Sequence, residues 1–115
     1  MDITVQQEGN ISLVSIKGDT IDASNKPKLQ KKLESVIEGS RFMVLDMSEV
    51  TFLDSSGLGM LLSCLRRLNG KKGDLRLCCL TKPVRSLIEL VRLNNVIEIY
   101  DTSEAAMASV PRLSD

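Results

Sequence analysis

The residues best suited to chemistry lie in one short segment, Asp54-Ser55-Ser56-Gly57, which follows a strand-like run and opens a leucine-rich stretch. These hydroxyl and carboxylate groups would stand at the start of a helix. A helix N-terminus exposes unpaired N–H groups and a partial positive charge, so it accepts a phosphate readily. Gly57 and Gly59 carry no side chain, which allows a partner backbone to approach closely. A purely structural interpretation is also open, with Asp54, Ser55 or Ser56 as an N-cap and both glycines as close-packing positions.

The rest of the chain offers little to a catalytic site. It contains no histidine, which removes histidine general bases, histidine metal ligands and Ser–His or Cys–His pairs. The spacing G-x-x-x-x-G-K-[ST] is absent, and Gly70-Lys71-Lys72 follows a predicted helix instead of preceding one. The three cysteines form no C-x-x-C pair, and Cys78 and Cys79, adjacent on a predicted strand, would point to opposite faces. We therefore expect a protein that is not an enzyme, with free core thiols, no metal site and no cofactor.

Composition narrows the class of partner. The 115 residues fit a single domain over residues 1–115, with residues 110–115 as a loose C-terminal tail. Lys plus Arg equals Asp plus Glu at 15 each, and aromatic residues make up only 3%, so neither charge nor base stacking favours nucleic acid or an acidic membrane. The N-terminus lacks a signal-peptide pattern, and the longest apolar stretch is too short to span a bilayer. We expect a cytoplasmic monomer or weak dimer that binds neither nucleic acid nor membrane.

Hydrophobic periodicity predicts five strands. Alternation over residues 3–7 and a returning run over residues 11–17 predict an antiparallel hairpin. Continuous apolar runs over residues 41–47 and 75–80 predict strands buried on both faces, and residues 96–100 predict a short one. Loops are expected over residues 18–22 and 48–53.

Helical spacing predicts four helices between and after these strands. Side chains able to cap the first helix are Asp22, Ser24 and Asn25. Pro83 opens the third helix, whose inner face carries Val84, Leu87, Ile88 and Val91. Asp101 and Glu104 form a capping box for the last helix. The order β-β-α-β-α-β-α-β-α predicts an α/β domain with a mixed, mostly parallel sheet of about five strands and about four helices.

The segment Asp54-Ser55-Ser56-Gly57-Leu58-Gly59, preceded by Leu45-Asp46 and Phe52-Leu53, resembles the signature of the anti-sigma factor antagonist family. Members of that family are single STAS domains. The similarity extends from about residue 11 to residue 110 and includes Ile21-Asp22-Ala23 before the first helix. One extra residue in Gly18-Asp19-Thr20-Ile21-Asp22 departs from the family pattern. The resemblance implies a STAS-like fold.

The resemblance also implies a partner switch. The unphosphorylated antagonist binds an anti-sigma factor that is also a serine kinase, and a sigma factor is released. The kinase phosphorylates the first serine of the motif, here Ser55, and a metal-dependent serine phosphatase restores the antagonist. Carried over by position, the partner-binding residues are Asp22, Asp54, Ser56, Gly57 and Leu58. A STAS subunit of a transporter ATPase complex or of a stress-signalling scaffold is the alternative, which the fold alone does not separate.

Overall fold

The structure, a computed structural model, describes residues 1–111. The predicted order of strands and helices is confirmed, with two short strands added. The strands are β1 (Asp2–Glu8), β2 (Ile11–Lys17), β3 (Thr20–Ile21), β4 (Phe42–Asp46), β5 (Phe52–Leu53), β6 (Asp74–Cys78) and β7 (Glu98–Tyr100). The helices are α1 (Lys26–Glu38), α2 (Ser55–Gly70), α3 (Lys82–Leu90) and α4 (Ser103–Ser109), with a 3₁₀ turn over Leu93–Asn95.

The main sheet has the strand order β1-β2-β4-β6-β7. Strands β1 and β2 pair antiparallel, whereas β2–β4, β4–β6 and β6–β7 pair parallel. This confirms the mostly parallel five-stranded sheet with one antiparallel hairpin strand. Strand β4 lies at the centre and is covered on both faces, which is why its sequence is a continuous apolar run instead of an alternating one.

The sheet separates two apolar layers. The larger layer contains the inner faces of α1, α2 and α3, and one of its central side chains is Leu45. The smaller layer lies on the other face under α4 and consists of Ile11, Phe42, Val44, Cys78, Ala106 and Val110. Because Val110 is only 3% exposed, the prediction that a loose tail begins at residue 110 is wrong for that residue. The remainder of the predicted tail after Pro111 lies outside the described residues.

Two strand predictions fail at their ends. The strand predicted over residues 75–80 ends at Cys78, because Cys79 adopts a left-handed backbone with φ of 62°. As a result, the thiols of Cys78 and Cys79 do not point to opposite faces, and their sulfur atoms lie within 4.8 Å of each other. The last strand begins at Glu98 instead of residue 96, since the N–H groups of Val96 and Ile97 both donate back to the carbonyl of Leu93.

Two helix predictions also need correction. Val91 does not pack inside, because α3 ends at Leu90 and leaves Val91 47% exposed. The N-cap of α4 is Thr102 and not Asp101, since the Thr102 hydroxyl accepts the N–H of Ala105 at 3.0 Å. None of the helices within residues 1–111 is long and apolar enough to cross a membrane.

Candidate functional site

The Asp54-Ser55 segment is positioned by a second, two-stranded sheet, with two residues in each strand, that the sequence does not reveal. Strand β3 pairs parallel with β5 in the regions predicted to be loops, and the N–H of Asp54 donates to the carbonyl of Ile21 at 3.1 Å. The main-chain N–H of Thr51 also donates to the carbonyl of Asp19 at 2.8 Å. The backbone therefore holds the loop before α1 beside the start of α2, so that Asp22 and Asp54 belong to one site.

Asp54 is the N-cap of α2. Its Oδ1 accepts the N–H groups of Ser56 at 2.8 Å and Gly57 at 3.1 Å. Its Oδ2 accepts the N–H of Ala23 at 3.2 Å, which ties the preceding loop to the helix. Because the carboxylate occupies the capping position, neither serine is needed there. Ser55 is the first residue of the helix, is exposed, and its hydroxyl makes no hydrogen bond to any other residue of the described range 1–111.

The side chain of Asp22 accepts hydrogen bonds from the loop residues that directly follow it. Its Oδ1 accepts from the hydroxyl of Ser24 at 2.5 Å, from the N–H of Ser24 at 2.9 Å and from the N–H of Asn25 at 3.3 Å. These hydrogen bonds, with the Ser24 hydroxyl first, lower the pKa of the Asp22 carboxyl, so the group is ionised at neutral pH. Asn25 is the N-cap of α1 by position, but its side chain makes no cap bond and instead donates to the carbonyl of Thr20 at 2.7 Å.

The three remaining predicted partner-binding residues differ in accessibility. Ser56 and Leu58 are half-buried, and part of each faces solvent. Gly57 is buried, so the expectation that it lines the surface is wrong. A Cβ on Gly57 would lie 3.0 Å from Cβ of Leu53 and 3.2 Å from Cγ2 of Ile21, which shows that its missing side chain lets α2 pack on the β3–β5 pair. Gly59 is the opposite case, exposed and with nothing within 4 Å of a Cβ.

We expect Gly57→Ala and Gly59→Ala to have opposite effects on the free energy of unfolding. Gly57→Ala should lose about 1–3 kcal/mol, because the added methyl overpacks the contact with Leu53. Gly59→Ala should gain about 0.5–1 kcal/mol, because alanine is the better helix former and nothing obstructs it. Urea unfolding of both variants beside the wild type measures the difference. Equal effects would contradict the inward orientation of Gly57 and the outward orientation of Gly59.

Phe52 is the residue that the sequence analysis leaves out of the site. It lies on β5, two residues before Asp54, and is 55% exposed, whereas its neighbour Leu53 is buried. Aromatic residues, phenylalanine included, are enriched at the cores of protein interfaces. The sequence feature that could have singled out Phe52 is the rarity of aromatic residues, since the chain has only two phenylalanines and one tyrosine. We name the accessible residues of this region the docking face, which comprises Asp22, Phe52, Asp54, Ser55, Ser56 and Leu58.

The chain is thus a small α/β domain with a five-stranded mixed sheet and an exposed serine at the start of α2. The sequence matches the STAS domain family over residues 2–106, and the chain belongs to that family. It is 24% identical over 116 aligned residues to the anti-sigma F factor antagonist of Paenibacillus polymyxa, covering 99% of this chain and 98% of the relative.

Solved structures agree with this assignment. An anti-sigma factor antagonist from Mycobacterium paratuberculosis superposes with a TM-score of 0.85 at 27% identity, covering 95% of this chain and 92% of that one. The Bacillus cell fate determinant SpoIIAA in its phosphorylated form superposes with a TM-score of 0.71 at 17% identity, covering 93% and 97%, and shares the fold. The resemblance to anti-sigma factor antagonists is thus confirmed.

Proposed function

We propose that this protein is an anti-sigma factor antagonist whose docking face binds an anti-sigma factor, and that phosphorylation of Ser55 ends this binding. The observation that carries the proposal is that the adjacent residues Asp54 and Ser55 have different roles at the start of α2. Asp54 caps α2, whereas the Ser55 hydroxyl is exposed and is not engaged by any residue of the described chain. A kinase can reach such a hydroxyl, and a bound protein must cover it.

A phosphate on Ser55 would not be neutralised inside the chain. The N–H groups of Ser56 and Gly57, which would otherwise attract it, already donate to the Asp54 carboxylate. Asp54 also leaves a negative charge beside the new group. The phosphate therefore adds about −1.5 to −2 charges that remain directed toward a partner.

The size of this effect is sufficient for release. Weakening a complex 100-fold takes about 2.8 kcal/mol. One repulsive unit charge pair at about 4 Å costs about 4 kcal/mol at an effective dielectric constant of about 20. Because Ser55 is exposed and lies outside the core, the block is local and requires no refolding of the antagonist.

The same proposal assigns the partners. An anti-sigma factor serine kinase binds the docking face and modifies Ser55, and a metal-dependent serine phosphatase removes the phosphate. The antagonist itself is not an enzyme and acts in the cytoplasm as a monomer or weak dimer.

The test pairs the purified chain with each anti-sigma factor serine kinase encoded in the same genome, with and without Mg-ATP. We expect one kinase to bind by calorimetry without ATP, and Mg-ATP to place one phosphate on Ser55, located by mass spectrometry, with loss of the complex. Modification of another residue would contradict the site assignment. If no such kinase binds and a transporter ATPase does, the alternative STAS role replaces the proposal.

We expect Phe52→Ala to weaken kinase binding at least tenfold, about 1.4 kcal/mol, because an exposed aromatic ring at an interface is a common hot spot. The matched control is Leu90→Ala, which removes a 78% exposed apolar side chain at the last residue of α3. The control should bind within twofold of the wild type in the same calorimetric assay. Equal losses in the two variants would show that Phe52 is no anchor.

A further inference from the structure

A second group of reactive side chains lies at the carboxyl edge of the main sheet and takes no part in the docking face. Asp46 ends β4 and Cys78 ends β6, and the two residues are register partners in the parallel pairing of these strands. Cys79 follows directly. One carboxylate oxygen and the two sulfur atoms all lie within 4.8 Å of one another.

The convergence depends on an unusual backbone conformation. Adjacent residues of an extended strand point to opposite faces, but Cys79 has φ of 62°, which brings its thiol to the same side as that of Cys78. L-residues other than asparagine, aspartate and histidine rarely adopt this region, and such outliers concentrate at functional sites. The N–H of Cys79 donates to the carbonyl of Tyr100 at 3.2 Å, which fixes the turn against β7.

The spacing suits tetrahedral coordination. Two thiolates bound to zinc at about 2.3 Å lie about 3.8 Å apart, so the observed spacing requires movements of at most about 1 Å. Cys78 is buried, whereas Asp46 and Cys79 are half-buried, so the outer side of the group is open to solvent. That leaves a fourth position for water or another ligand.

The charges around the thiols favour a cation. The acidic side chains of Asp46 and Glu104 are the charged neighbours of the Cys78 thiol, so the local field attracts positive charge. Two sulfurs and one carboxylate oxygen are a donor set that prefers a soft or borderline metal ion to Mg²⁺ or Ca²⁺.

We propose that Asp46, Cys78 and Cys79 form a three-ligand site for a thiophilic divalent cation, with Zn²⁺ as the best fit. Sequence reasoning missed the site because neither the register of Asp46 with Cys78 nor the turn at Cys79 has a signature in the residue types.

Cobalt titration of the reduced 115-residue chain tests the proposal, since Co²⁺ replaces Zn²⁺ and gives a thiolate-to-metal charge-transfer band in the near ultraviolet. We expect one Co²⁺ per chain, displaced by one Zn²⁺. Cys79→Gly removes a ligand while relieving the left-handed backbone, so it should fold and bind at least 100-fold more weakly. Asp46→Asn can still accept the N–H of Ser48 as Asp46 Oδ1 does at 2.9 Å, and it should bind at least tenfold more weakly.

Cys64→Ala is the control. Cys64 is a buried thiol within α2, apart from the proposed ligands, and its removal should leave cobalt binding unchanged. Absence of the charge-transfer band from the reduced wild type would overturn the proposal. So would a band of the same intensity and affinity in Cys79→Gly, or one lost only in Cys64→Ala.

Discussion

Ser55→Asp is expected to weaken binding of the anti-sigma factor serine kinase at least 100-fold, whereas Ser55→Ala should bind like the wild type and take up no phosphate. The aspartate places a negative charge where the hydroxyl stands exposed, and a single repulsive pair supplies the about 2.8 kcal/mol required. The charge does not harm the fold, because an acidic residue in the first turn stabilises a helix by about 0.3–1 kcal/mol. Calorimetric titration of the kinase, with thermal unfolding of each variant, measures both effects.

The matched control is Ser103→Asp. Ser103 is the first residue of α4, as Ser55 is of α2, but it belongs to the helix that covers the other face of the sheet. The two substitutions add the same charge at the first residue of a helix, although Ser103 is half-buried and its hydroxyl donates to Oε1 of Glu104 at 3.3 Å, whereas Ser55 is exposed. Ser103→Asp should leave kinase binding unchanged. If Ser55→Ala still incorporates phosphate at full stoichiometry, Ser55 is not the acceptor, and if Ser55→Asp binds normally, the electrostatic block is wrong.

Gly73→Ala is expected to lose more than about 4 kcal/mol of folding free energy, a size of effect reserved for severe steric or packing errors. A Cβ on Gly73 would lie 1.5 Å from the carbonyl oxygen of Arg41. The backbone of the turn around Gly73 is fixed by two hydrogen bonds. The N–H of Gly73 donates to the carbonyl of Leu68 at 2.8 Å, and the N–H of Asp74 donates to the carbonyl of Arg41 at 3.3 Å. That loss is a large fraction of the about 5–15 kcal/mol of unfolding free energy typical of a native protein.

Gly70→Ala is the control for that substitution. Gly70 is the last residue of α2, and a Cβ there would have nothing within 4 Å. Alanine should therefore be neutral or stabilise by up to about 1 kcal/mol. Urea unfolding compares the two variants with the wild type. A Gly73→Ala protein whose free energy of unfolding lies within about 1 kcal/mol of the wild type would contradict the tight contact between this turn and Arg41, the residue before β4.

Much of the fold follows from periodicity. The buried run of β4 and the leucine stripe of α2 require a particular secondary structure to bury them, so their order determines an α/β domain. Strands β3 and β5 could not be predicted in this way, because a strand of two residues is too short to show an alternating hydrophobic pattern. The α4 N-cap was misplaced by one residue, because Asp101 and Thr102 are both capping types and the end of β7 decides between them.

The candidate site was predicted in part. The types and spacing of Asp54 and Ser55 indicate a helix start, but they do not say which residue caps it. That depends on the extended backbone of Asp54, which the β3–β5 pair imposes. Likewise, the contrast between Gly57 and Gly59 arises from the rotation of α2 against Leu53, which is a tertiary property.

The position of Tyr100 has an optical consequence. It is the only tyrosine of a chain without tryptophan, and it lies at the end of β7 beside the turn at Cys79. Intrinsic tyrosine emission therefore originates at the edge of the sheet where the thiols converge. A Phe52→Trp protein would carry a second fluorophore on the docking face, and light that only tryptophan absorbs would follow that face separately.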